Sequence, residues 1–240
     1  MKKGIIYLIP NTLGNDSIEK STPIFAKKKI NSIRVFIVES VKSARRYLKK
    51  IDRSFPIDEC EFYELKKKND IHNIYAFIDN NINGNDIGLI SDAGCPCVAD
   101  PGSQIVSIAH EKGIKIHPFV GPSSILLTLM GSGFSGQKFY FHGYLPKNRK
   151  NRIIEIQNYE IDTRKNGTTH LFMDTPYRNM NVLDDLLNEL SDKTHLCIAS
   201  NITLAKESIK TMEIKEWRKN AYDLNKKPTI FAIGRIQNFI

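Results

Sequence analysis

The strongest constraint on this chain is its rhythm of short, β-rich apolar runs, several of them followed by apolar residues at helical spacing. IIYLI (Ile5–Ile9) stops at Pro10, and RVFIVE (34–39) leads into Val41, Ala44, Leu48 and Ile51. Ile71, Ile74, Tyr75 and Ile78 mark a second amphipathic helix, closed by Asn83-Gly84, before the runs Ile87–Ile90 and 114–119. The period changes from strand to helix and back. Such alternation predicts an α/β fold with parallel strands and helices on the faces of the sheet. In open sheets of this kind, ligands bind outside the carboxyl ends of the strands.

The second half begins with GPSS (121–124) and an apolar helix over 125–130, broken by Gly-Ser-Gly at 131–133. Strands are predicted at 169–173, 195–199 and 229–233, with Val182, Leu183, Leu186, Leu187 and Leu190 on one helix face between the first two. TRKNG (163–167) reads as a surface loop. Two α/β domains are expected, 1–119 and 120–240. The chain has 240 residues, 41% hydrophobic and 25% charged, an ordinary globular balance. No apolar run approaches the roughly 18–20 residues that span a bilayer. MKKGIIYLIP is too short in its apolar part for a secretory signal. A cytoplasmic location is therefore expected, and Cys60, Cys95, Cys97 and Cys197 read as free thiols with no metal site. The net charge of +9 fits either a nucleic-acid partner or a compositional bias toward Lys.

The segment 88–105, GLISDAGCPCVADPGSQI, carries the most unusual local chemistry. Asp100 suits a helix cap, Pro101 the first helical position and Gly113 the helix end. Ile105, Val106, Ile108 and Ala109 form that helix's apolar stripe. The tight Ser-Asp-Ala-Gly turn before it suggests that something approaches the backbone there. PNTLGN (10–15), SDAGCP (91–96), GPSS (121–124) and DTPYR (174–178) all fall at predicted strand ends, which points to a shared cleft. No GxxxxGK[ST], GxGxxG after the first strand, GxSxG or HExxH motif is present. Asp92 either accepts bonds from a ligand hydroxyl or fixes its own loop. His110, His117, His142, His170 and His195 are scattered and read as structural or surface groups.

Together these segments resemble the tetrapyrrole-methylase superfamily of S-adenosylmethionine-dependent methyltransferases, and most nearly its small-subunit ribosomal RNA (cytidine-2′-O)-methyltransferase I branch. The resemblance runs in order through PNTLGN, ESVKSARRYL (39–48), SDAGCPCVADPG (91–102), FVGPSS (119–124), FHGYLPKN (141–148), FMDTPYR (172–178) and PTIFAIG (228–234). It implies two α/β domains with the methyl donor folded in the cleft between them. The donor is then held largely by main-chain groups, at Pro10, Ser91, Asp92, Ala93, Gly94, Cys95, Pro96, Val98, Ser123, Ser124, Phe172, Met173, Asn201 and Thr229. It also implies a homodimer.

Three departures accompany the resemblance. The acidic segment reads Glu-Ser-Val where the branch has Glu-Asp-Thr-Arg, Cys95 stands where it has Thr, and its further C-terminal segment is not expected here. The expected reaction is 2′-O-ribose methylation of small-subunit ribosomal RNA, with Glu39 the candidate base or else a structural partner of Arg45 or Arg46. Arg45, Arg46, Lys147, Arg149, Arg152 and Arg178 are the candidate RNA contacts. The basic, aromatic segment 138–152 is either an RNA surface or a solvated loop. The alternatives are a methyltransferase for a small molecule such as a tetrapyrrole, and a non-catalytic donor-binding protein.

Overall fold

The computed structural model describes residues 3–14, 18–65, 71–220 and 222–236, in two compact units, Met1–Ser123 and Ser124–Ile240. Asn15 of the PNTLGN segment lies outside the described residues.

The first unit is a five-stranded sheet of β1 (Ile5–Ile9), β2 (Val35–Val38), β3 (Glu61–Glu64), β4 (Ile87–Ile90) and β5 (Lys115–Pro118). The strand order is β3-β2-β4-β1-β5 and every pairing is parallel, as the alternation predicts. Alternate residues of each central strand leave the sheet on opposite faces. Phe36 and Val38 pack with the helices α1 (Ile24–Ile30) and α2 (Val41–Ile51). Val35, Ile37, Ile87 and Leu89 pack with α3 (Ile71–Ile82) and α4 (Ser103–Glu111). Burial on both faces is why these strands read as unbroken apolar runs.

The central position of β4 leaves no room at Gly88. A Cβ there would lie 2.7 Å from the Phe36 ring and 2.8 Å from Ile9 Cδ1. Gly88→Ala is expected to cost about 1–3 kcal/mol by overpacking. A denaturant titration checks this, and wild-type stability in the variant would refute the packing argument.

Two local expectations change. α4 starts at Ser103 with Gly102 as its cap residue (φ 132°), so Asp100 and Pro101 precede the helix and do not cap it. A glycine can hold that φ, and no side-chain cap forms. The edge strand β3 carries glutamates at both ends, which hid it in the sequence.

The second unit contains β6 (Phe139–Tyr144), β7 (Thr169–Met173), β8 (His195–Ser200), β9 (Ser208–Glu213) and β10 (Thr229–Gly234), ordered β6-β7-β10-β8-β9. Only β6 and β7 pair in parallel; the other three pairings are antiparallel. The parallel expectation fails here; for β8 and β9 the reason is that residues 201–207 join them directly, too short a link for a parallel crossover. The helices are α5 (Ser124–Ser132), α6 (Arg149–Asn166), α7 (Asn179–Glu189) and α8 (Ile214–Trp217). TRKNG is the last turn of α6 and its left-handed Gly167 terminator rather than a loop.

Two of the histidines are not scattered. His142 Nε2 and His170 Nδ1 lie 2.8 Å apart, and His170 Nε2 is 2.8 Å from Asp162 Oδ2. The carboxylate fixes the His170 proton on Nε2, so His142 must donate to Nδ1. Tyr159 stacks on both rings.

Candidate functional site

Three loops converge at the carboxyl ends of β1, β4 and β5. Asn11 and Gly94 exchange backbone bonds of 2.9 and 3.2 Å, while Asn11 Nδ2 donates to the Ser91 and Asp92 carbonyls. The Cys95 thiol points at the carbonyls of Gly121 and Pro122. Tyr47 of α2 is buried and donates to the Pro10 carbonyl at 2.8 Å; burial pushes its hydroxyl up to about 12.

The loop after β4 holds four left-handed residues, Gly94 (φ 69°), Cys97 (70°), Ala99 (63°) and Gly102 (132°). Cys97 and Ala99 pay a Cβ penalty for that conformation, and such strain clusters at ligand sites. The left-handed φ of Gly94 favours glycine there, and a Cβ would also press on Leu13 Cδ2 at 3.2 Å. Cys95 and Cys97 have raised thiol pKa values, through burial and then the Asp100 charge, which makes them poor nucleophiles.

Glu39 follows β2 directly, and its carboxylate accepts the Asp92 backbone N–H at 3.0 Å. Arg45 binds Asp58 instead, at 3.4 Å. The structural role of Glu39 is therefore to hold the loop, not to pair with an arginine. Asp92 is tied through its main chain, while its own carboxylate has no hydrogen-bond or ion-pair partner among the described residues. That leaves the carboxylate available to a ligand hydroxyl.

Asp100 is pushed up to about 6 by burial and then by the charges of Glu39 and Asp92. Between its ordinary 3.8 and about 6, the folded protein holds a proton that the unfolded chain has released. Stability therefore falls as pH rises through that window. Asp100→Asn is expected to raise the melting temperature above about pH 7 and to leave it unchanged near pH 4. Equal shifts at both pH values would remove Asp100 from the account.

The structure sorts the six candidate RNA contacts. Arg152 is a correction: it is 5% exposed, bound to Asp185 at 2.6 Å and to the Pro146 and Lys147 carbonyls. A side chain so enclosed reaches no phosphate. Arg149 shares Asp185 at 2.8 Å but is exposed. Arg178 pairs with the buried Asp174 at 3.0 Å and donates to the Pro146 carbonyl. Arg45 is held by Asp58 and lies over Phe62. Lys147 and Arg46 are exposed, with no ion-pair partner among the described residues.

The remaining donor candidates divide as well. Ser91 and Pro96 are buried in the β4 loop, Ala93 and Val98 exposed. Ser123 closes the first unit and Ser124 opens α5. In the second unit the Phe172 side chain is wholly enclosed and stacks on Phe231, so it offers a ligand no surface; Met173 beside it is half-buried. Asn201 follows β8 in the left-handed region (φ 52°), and Thr229 opens β10, donating to the Lys227 carbonyl.

Three similar solved structures are methyltransferases. CobJ superposes with a TM-score of 0.62 at 13% identity, covering 96% of this chain and 94% of that one. The cobalt precorrin-4 methyltransferase CbiF gives 0.58 at 14% (95% and 94%), and uroporphyrin-III-C-methyltransferase from Thermus thermophilus 0.56 at 12% (98% and 96%). No protein-family model matches the chain. Curated relatives named ribosomal RNA small subunit methyltransferase I match over most of this chain. The Vibrio cholerae protein is 28% identical over 217 residues, 88% of this chain and 69% of that protein. The Buchnera aphidicola protein is 26% identical over 242 residues, 98% of this chain and 82% of that one. The chain is a homologue of these methyltransferases, on the tetrapyrrole-methylase fold.

Within this methyltransferase homologue, Asn11, Thr12, Gly14, Ser43, Arg46, Tyr47, Lys50, Asp92 and Ala93 line a polar cavity of about 180 Å³. Sequence reasoning singled out Arg46, Asp92, Ala93 and the PNTLGN segment but missed Ser43, Tyr47 and Lys50. The available signal was helical: Ser43, Arg46, Tyr47 and Lys50 sit at i, i+3, i+4 and i+7, on one face of α2.

Proposed function

We propose that the protein transfers a methyl group from S-adenosylmethionine to a ribose 2′-hydroxyl of small-subunit ribosomal RNA. The observation that carries this reading is the strained, glycine-cradled loop 91–102 at the end of β4, in a chain homologous to ribosomal RNA methyltransferases. The loop fits the donor: Gly94 lets a ligand approach the main chain, and Glu39, Asp92 and Asp100 supply negative charge for a sulfonium cation. Ser91, Cys95 and the neighbouring main chain form its contacts in the first unit.

In the reaction the ribose oxygen bonds to the methyl carbon as the carbon–sulfur bond breaks, and the hydroxyl proton leaves to a carboxylate. Glu39 is our candidate for that base, fixed in place by its bond to Asp92. Positioning supplies most of the rate in such a step. The fold's resemblance to enzymes of tetrapyrrole chemistry supports a small-molecule substrate as the second reading.

We further propose a cytoplasmic homodimer; no described helix is long and apolar enough to cross a membrane. The deciding assay is transfer of tritiated methyl into small ribosomal subunits that lack the modification. Label in RNA is expected, and donor binding without label in RNA would overturn the substrate assignment.

A further inference from the structure

The cavity under α2 has a chemistry of its own. Its volume of about 180 Å³ falls below the roughly 300–1,000 Å³ of pockets that enclose a whole small ligand. A space of that size takes a phosphate group or one segment of a larger molecule. One wall is the α2 face that presents the Ser43 hydroxyl, the Arg46 guanidinium and the Lys50 ammonium on successive turns. None of these three groups has a side-chain partner among the described residues, whereas neighbouring Arg45 and Lys49 are engaged by Asp58 and the Arg53 carbonyl. Asp92 and Ala93 supply the facing wall, with a carboxylate that accepts hydrogen bonds only. The frame is stiff: Tyr47 bonds to the Pro10 carbonyl, and Asn11 bonds to the Ser91 and Asp92 carbonyls.

Two cations and a hydroxyl donor on one side, and a hydroxyl acceptor on the other, match one chemical unit. We infer that this cavity is a ribose-phosphate subsite for the substrate RNA strand, with Ser43, Arg46 and Lys50 on the phosphate and Asp92 on a sugar hydroxyl. The inference rests on the proposed RNA substrate and deepens it. A bidentate guanidinium and a point-charge ammonium are the usual side-chain partners of phosphate.

The test compares purified wild type, Arg46→Ala/Lys50→Ala and Lys49→Ala, the last removing one like charge from a different face of α2. Binding of a short fluorescein-labelled single-stranded RNA is measured across a salt series, donor affinity by calorimetry, and methyl transfer to small subunits in parallel. The double variant should bind the RNA at least about tenfold more weakly at low salt. Its log–log salt slope should shrink by about 1.4, two contacts at about 0.7 each. Donor affinity and melting temperature should match wild type, and Lys49→Ala should change RNA binding less than about twofold.

Wild-type RNA binding by the double variant would overturn the subsite, as would an equal loss in Lys49→Ala, which would signal only a diffuse field. Weakened donor binding with unchanged RNA binding would reassign the cavity to the donor. If wild type binds RNA through this face yet methylates none, the subsite stands and the proposed reaction fails. If it methylates RNA and the double variant does so equally well, the reaction stands and the subsite fails. Absence of RNA binding by wild type would overturn both.

Discussion

Asp185→Ala is expected to destabilise the second unit by about 3–5 kcal/mol, the usual cost of stranding one member of a buried ion pair. Asp185 is 2% exposed and accepts from Arg149 at 2.8 Å and from Arg152 at 2.6 Å. The two arginines differ sharply in what they contribute. Arg149 holds its contact at the surface, where a pair is worth about 0–1 kcal/mol, so Arg149→Ala should barely move the urea midpoint. Arg152 is enclosed, and its guanidinium has only the Pro146 and Lys147 carbonyls left once the carboxylate is gone. Replacing both buried partners by apolar residues of similar volume should recover much of the loss. Urea titrations of the four proteins decide the matter. An Asp185→Ala midpoint near wild type, at unchanged m, would show that the pair is not the brace described.

The same ion pair explains why one part of the fold was illegible. In the first unit the core strands bury Val, Ile, Leu and Phe on both faces, so period and hydrophobicity agree and β1, β2 and β4 can be read directly. α6 breaks that agreement. Its inner face carries Arg152, Glu160 and Thr163 beside Ile156 and Tyr159, so no apolar stripe marks an 18-residue helix. Glu160 pairs with Arg164 one turn on, but its hydrogen bonds come from Ser191 and Thr194, far along the sequence. Charged residues with distant partners look like a solvated loop until the partners are known, which is how Arg152 came to be read as an RNA contact. The conformation of loop 91–102 was legible for the opposite reason. Gly94, Pro96 and Gly102 announce backbone requirements locally, whereas the cavity wall of Ser43, Arg46 and Lys50 acquires meaning only when α2 faces Asp92.

The strand-end loops depend on one close approach, and its disruption should have the largest effect on ligand binding. Gly121 sits against Pro10: a Cβ there would lie 2.2 Å from Pro10 Cβ and 2.5 Å from its Cγ. Neither side can yield cheaply. The proline ring is rigid, its carbonyl is held by Tyr47, and the Gly121 carbonyl faces the Cys95 thiol. Gly121→Ala must therefore push the loop after β5 away from the loops after β1 and β4. A displacement of about 1 Å at a reacting centre can cost on the order of 100-fold in rate. We expect Gly121→Ala to remain folded, to lose donor affinity by at least about tenfold, and to lose kcat/KM by about 100-fold. Pro10→Gly removes the atoms that clash, so the double variant should regain donor binding, whereas Pro10→Ala keeps the Cβ and should not. Calorimetric titration of the donor into the four proteins separates these outcomes. Wild-type donor affinity in Gly121→Ala would mean that the three loops do not jointly form the donor cradle. A loss that Pro10→Gly fails to relieve would place the fault in Gly121 itself rather than in the contact.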